Sequence, residues 1–116
     1  MIIYRRKKLK WNNKLWNIDV KLYKDKRICL ILKNKNNTKE ITIDLIDCYL
    51  DYGHVFLDPN SKDNGILNVL KKARIIKNVS GMTYYNYLSI PIAQLNMGIL
   101  KKYDYIGVSN IKEDLI

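Results

Sequence analysis

The chain has 116 residues, with 21 Lys or Arg against 11 Asp or Glu and a formal net charge of +10. This length predicts one domain, because two halves would each be too small to bury a stable core. No apolar run approaches the roughly 20 residues of a membrane-spanning helix. Two cysteines without Cys-x-x-Cys spacing and a single histidine also exclude a metal cluster and a two-histidine metal site.

Positive charge is concentrated in the first third of the sequence. Residues 1–39 carry thirteen basic and two acidic residues, a net charge of +11, whereas residues 40–116 carry eight basic and nine acidic residues, a net charge of −1. Residues 1–10 are interpreted as a basic arm or edge strand. A solvated surface would explain such a cluster, and so would an anionic partner.

From Leu9 onward, alternating apolar and polar residues predict a meander of antiparallel strands. The clearest alternation places Trp16, Ile18 and Val20 on one face, with polar neighbours on the other. Such strands have one buried and one solvated face, and the solvated face here is basic. We predict strands at residues 9–11, 16–23, 28–33, 41–45 and 55–57.

The second half of the chain predicts helices and one further strand. Pro91 favours an edge strand over a helix in its segment, and Asn96 can cap the helix that follows. In chain order, we predict a helix at 61–74 capped by Ser61, a linker at 75–82, an edge strand at 84–95, a helix at 97–103 and a last helix at 110–116 capped by Ser109.

Together these elements predict an α+β fold. An apolar sheet face must be buried, and the predicted helices carry apolar stripes suited to covering it. We therefore expect a single domain, residues 1–116, in which a bent antiparallel meander of five to six strands packs on one or two short helices.

Enzyme signatures are sparse. The lone His54 is typical of a structural residue, although it could serve as a general base for RNA cleavage in a ribonuclease toxin. Four aspartates, at positions 44, 47, 51 and 58, invite a two-metal nuclease interpretation, but their strand and turn contexts favour turn and cap roles. No phosphate-binding glycine loop occurs. The sequence therefore favours a binding protein without a cofactor.

Three segments together resemble a known family. They are WNNKLWNIDVKLY, VFLDPN before a helix, and SGMTYYNYLSIPIAQLNMGILKKYDYIGV. The resemblance is to an uncharacterised family of small proteins encoded mainly by bacterial mobile elements and their phages. Its motifs are structural, and Ile90 stands where an aromatic residue usually precedes the proline. The resemblance implies an accessory protein acting in the host cytoplasm.

These observations lead to one main hypothesis and two alternatives. The main one is a non-enzymatic phage or mobile-element protein that inhibits a host nucleic-acid-targeting defence complex, as anti-CRISPR proteins do. The alternatives are a general DNA- or RNA-binding accessory protein and a ribonuclease toxin. Partners would be a host protein, a ribonucleoprotein effector or nucleic acid itself, and an exposed edge strand could also pair two copies.

The predicted binding surface combines the basic arm, the basic face of the meander and nearby aromatic residues. Tyr4 and Trp11 are candidate neighbours of this surface. Its proposed members are Arg5, Arg6, Lys7, Lys8, Lys10, Lys21, Tyr23, Arg27 and Lys33.

Overall fold

A computed structural model describes residues 5–114, with side chains described through residue 111. Within these residues the chain forms eight strands and three α-helices. In chain order they are β1 (Leu9–Trp11), β2 (Lys14–Leu22), β3 (Ile28–Lys33), β4 (Thr38–Glu40), β5 (Thr42–Ile43), β6 (His54–Leu57), a 3₁₀ turn (Pro59–Ser61), α1 (Ile66–Lys72), β7 (Ile76–Tyr85), β8 (Leu88–Leu95), α2 (Met97–Leu100) and α3 (Tyr105–Asp114).

The strands form two antiparallel sheets, and the α+β class is confirmed. The first sheet has the order β1-β2-β3-β4 and the second β5-β6-β8-β7. The expected single sheet of five to six strands is therefore divided in two. Strand β3 pairs along its whole length with β2, from Lys33 opposite Asn17 to Ile28 opposite Leu22.

Ile41 is the point at which the chain passes from one sheet to the other. Its N–H donates to the Leu30 carbonyl of β3 at 3.0 Å, while its carbonyl accepts from Asp58 N, after β6, at 3.0 Å. The alternation of the sequence predicted that Ile41 and Ile43 would lie on the same face of one strand. Instead, Ile41 lies in the main core and Ile43 packs on a smaller cluster, because the chain turns between them.

The main core lies where the first sheet meets the second sheet and the helices. Its fully buried members include Ile18, Leu30, Leu57 and Leu70. A smaller cluster of Leu45, Phe56 and Ile90 occupies the other face of the second sheet.

Helix α1 starts later than the sequence suggested. Ser61 is buried in the 3₁₀ turn, and the helical cap position is Gly65, with a φ of +83°. The side chain of Asn64 accepts from Ile66 N at 3.0 Å. The predicted Ser61 cap is therefore wrong, because the 3₁₀ turn separates Ser61 from the helix.

Strands β7 and β8 form a hairpin across the predicted linker. The linker assigned to residues 75–82 is mostly β7, and the predicted edge strand is an interior strand, because β8 pairs with both β6 and β7. Asn86 and Tyr87 make the turn, both with positive φ. Pro91 is tolerated because the pairing of β8 with β6 ends at Ile92.

The C-terminal helices are set by two side-chain caps. Asn96 accepts from Ile99 N at 3.2 Å, so the predicted cap of α2 is confirmed. Helix α3 begins at Tyr105 and includes Ser109, so the predicted Ser109 cap is wrong. Asp104 takes that role, accepting from Gly107 N at 3.0 Å. Positions 115 and 116 of the predicted last helix lie outside the described residues.

Candidate nucleic-acid interface

A basic cleft of about 670 Å³ opens at one end of the first sheet. It lies between the start of β2 and the turn that joins β3 to β4. Four lysines, four asparagines and one leucine line it, and no carboxylate does. These residues, called here the basic cleft, are Lys8, Lys14, Leu15, Asn17, Lys33, Asn34, Lys35, Asn36 and Asn37.

Two asparagine-rich turns place these side chains at the same end of the sheet. Asn12 and Asn13 both have positive φ in the β1–β2 turn, a conformation that asparagine tolerates better than most residues. The other turn is closed by Asn37 N, which donates to the Asn34 side chain at 3.2 Å. Because Asn17 pairs with Lys33 across the strands, the two turns flank one opening.

Most of the lysine charge in the basic cleft has no acidic partner among the described side chains. Lys8, Lys14 and Lys35 are exposed, and no ion pair links them to another described residue. Lys33 differs, because its Nζ lies 2.9 Å from Oδ2 of Asp19. At least three ammonium groups are therefore available to an anion.

Asp19, just beyond the cleft, is held in its charged form. Burial acts to raise the pKa of Asp19, but hydrogen bonds from Arg6 and Lys33, together with their positive charges, outweigh it and lower the pKa. The carboxylate therefore stays ionised and compensated by its own partners.

Groups suited to bases lie among the lysines. The Leu15 side chain is 58% exposed and offers an apolar surface. Asn36 and Asn37, which also line the cleft, are exposed. Exposed amides and an apolar side chain between cations match the polar edge and the ring of an unpaired base.

Arg6 is part of the fold rather than an open cation. Its Nε donates to the Tyr103 carbonyl at 2.8 Å, and its guanidinium also bonds the Ile18 carbonyl and Asp19. Beside it, Lys7 N donates to the Lys102 carbonyl at 2.8 Å. The predicted arm is therefore anchored along residues 102–103.

Arg27 and Tyr23 also bind within the protein, at the far end of the first sheet. Arg27 donates to the carbonyls of Leu45 at 2.7 Å and Cys48 at 2.5 Å. Tyr23 donates to Glu40 at 2.7 Å, and burial raises its pKa. Lys33 follows Arg27 by six positions, which corresponds to roughly 20 Å along an extended strand.

The remaining predicted residues surround the cleft to different degrees. Lys8 and Lys33 line it, and Lys10 lies opposite Leu15 in the β1–β2 ladder. Lys21 lies four residues after Asn17 on β2, opposite Cys29; it is exposed and does not line the cleft. Arg5 is exposed.

The aromatic residues expected beside this surface do not join it. Trp11 donates through its indole N–H to the Asn64 carbonyl at 2.9 Å and packs on Trp16 with ring centroids 5.4 Å apart. Tyr4 lies outside the described residues.

Sequence reasoning missed Lys14 and Lys35. Both lie in the connections between predicted strands, so pairing those strands in register would place the two lysines together.

The acidic and histidine candidates occupy structural positions. Asp58 accepts from Asn60 N at 2.8 Å, and Asp51 accepts from the Tyr49 hydroxyl at 2.6 Å. His54 Nδ1 lies 3.1 Å from the Tyr52 carbonyl oxygen. Among the side chains of residues 5–111, no group of three His, Cys, Asp or Glu is arranged to hold a metal ion.

Comparisons with protein-family models, with curated proteins and with solved structures each return no match. In the described part of the chain, no helix has the length and apolarity needed to cross a membrane.

Proposed function

We propose that this chain is a non-enzymatic nucleic-acid-binding protein that holds a single strand in the basic cleft. The observation that carries the proposal is a concave surface lined by four lysines without a carboxylate. Lysine ammonium groups attract phosphates, and neutralising each phosphate releases counterions. The asparagines and Leu15 would contact bases, which a single strand exposes and a duplex largely hides.

The setting of this binding rests on the resemblance to mobile-element proteins. In that setting, the strand would belong to a host defence complex, for example the guide RNA of a CRISPR effector. Occupying the strand or its channel would inhibit the complex without any chemistry by the inhibitor. His54, the candidate general base, is not among the residues that line the cleft, which favours binding over cleavage.

Fluorescence anisotropy tests the proposal with labelled random-sequence RNA and DNA, single- and double-stranded, at several salt concentrations. Three to four phosphate contacts to a single strand should weaken binding by ~20- to ~50-fold between ~50 and ~200 mM salt. Single strands should bind more tightly than duplexes. Salt-independent binding, or none at low salt, would contradict the proposal.

A further inference from the structure

The β7–β8 hairpin is an uncharged projection of a strongly charged protein. Residues 78–100 contain no Asp, Glu, Lys, Arg or His, although 28% of the chain is Asp, Glu, Lys or Arg. Its end nevertheless faces solvent, with Met82 46% and Tyr84 77% exposed. A contiguous group of exposed apolar and aromatic side chains can mark a contact surface, whereas single ones do not.

Strand β7 also lies at the edge of its sheet, and among the strands in residues 5–114 it pairs with β8 alone. Natural edge strands usually carry a lysine, a proline or a bulge that prevents pairing with another chain. The register shifts of β7 are confined to residues 76–81. Residues 82–85 therefore form a regular edge without a protecting charge or proline.

The hairpin register shows which backbone groups face outward. Tyr85 and Leu88 close a two-residue turn, and the closing residues of such a turn bond each other. Because bonded and non-bonded pairs alternate, Met82 and Tyr84 direct their N–H and C=O groups away from β8. Pro91, opposite Met82, has no N–H to donate toward either strand, which agrees with this pattern.

These outward groups are self-complementary. If two copies of β7 lie antiparallel with Thr83 opposite Thr83 of the second copy, Met82 faces Tyr84 of the second copy in both halves. Each such pair can exchange two backbone hydrogen bonds, and Met and Tyr side chains on one face make favourable sulfur–aromatic contacts. A two-fold axis between the two Thr83 residues therefore pairs the outward backbone N–H and C=O groups of both copies.

If two copies of this protein associate, electrostatic repulsion favours contact at this edge over contact at the charged parts of the surface. Two molecules of net charge +10 repel each other, and the repulsion is least where the contacting segments carry no charge. We propose that the chain forms a symmetric dimer through antiparallel pairing of residues 82–84 of β7, joining two four-stranded sheets into one of eight strands. The proposal does not depend on the basic cleft.

Sedimentation velocity at ~100 µM protein and ~0.15 M salt tests this dimer. The wild type should sediment with about twice the monomer mass of 13.7 kDa. The double variant Met82→Lys/Tyr84→Lys should be monomeric, because each lysine would face another across the two-fold axis. Met82→Lys/Tyr84→Glu should restore the dimer, because the same register pairs opposite charges.

Leu88→Lys is the matched control, since Leu88 is exposed on β8, away from the edge, and this variant should remain dimeric. Circular dichroism checks that every variant is folded. A monomeric wild type, a dimeric Lys/Lys variant, or a Lys/Glu variant that stays monomeric would each overturn the proposed pairing.

Discussion

The Nζ of Lys33 lies 2.9 Å from Oδ2 of Asp19 on the adjacent strand. Arg6 donates to Oδ1 of the same carboxylate at 2.8 Å. One acidic group therefore compensates two of the basic residues that the sequence assigned to a binding surface. Binding strength in the cleft should then depend more on the lysines outside this ion-pair network.

Replacing Lys14 and Lys35 with glutamate should weaken single-strand binding at least about tenfold. It should also reduce the dependence of log K on log salt by about 1.4, or ~0.7 for each lost phosphate contact. The control is Lys71→Glu/Lys72→Glu, which makes the same charge change on exposed residues at the end of α1. Equal losses in both variants would show that only net charge matters.

Arg6→Ala should destabilise the fold by about 2 to 3 kcal/mol, because it removes a donor from the Tyr103 and Ile18 carbonyls and leaves Asp19 paired with Lys33 alone. Arg5→Ala, an exposed neighbour, should change the free energy of unfolding by less than about 0.5 kcal/mol. Urea unfolding measures both. Similar values for the two variants would contradict the anchoring role of Arg6.

Asp19 should contribute to stability in a pH-dependent way. Its pKa lies below the usual 3.8 in the folded protein, so the native state binds a proton less readily than the unfolded state. The contribution is complete above the unfolded pKa and is lost as pH falls through the folded pKa. The stability difference between wild type and Asp19→Asn should therefore shrink below pH ~4. Urea unfolding from pH 7 downward tests this, and a constant difference would count against it.

Gly107→Ala should destabilise the protein by about 1 to 3 kcal/mol. A Cβ there would lie 2.5 Å from Asp104 Oδ2 and 2.6 Å from the Val20 carbonyl oxygen, where α3 approaches β2. Gly98→Ala in α2 is the control, since its Cβ would meet nothing closer than 3.5 Å, and it should be neutral or stabilising. Thermal unfolding measures the stability of both variants. Equal melting temperatures would exclude crowding at Gly107.

Local patterns predicted the elements that depend on local chemistry. The alternation through Trp16, Ile18 and Val20 identified β2, and Asn96 identified the start of α2. Turn conformation was harder to predict, because Tyr87 adopts a positive φ that its residue type disfavours. The sequence therefore suggested one long strand near residues 84–95, where the structure has a hairpin.

Long-range contacts account for most of what the sequence could not show about the site. Nothing local distinguishes Arg6, which bonds a carbonyl 97 residues away, from the exposed Arg5 beside it. Likewise, Arg27 satisfies the carbonyls of a loop that follows it by about twenty residues. Charge counts located the basic third of the chain, but only tertiary structure separates available cations from structural ones.

Ile41 has its amide bonded in one sheet and its carbonyl bonded beside the other. Opening either sheet therefore breaks one of the two bonds that hold this residue between the sheets. The two sheets should consequently unfold together as one cooperative unit, and slow native-state hydrogen exchange should be shared between them rather than confined to one.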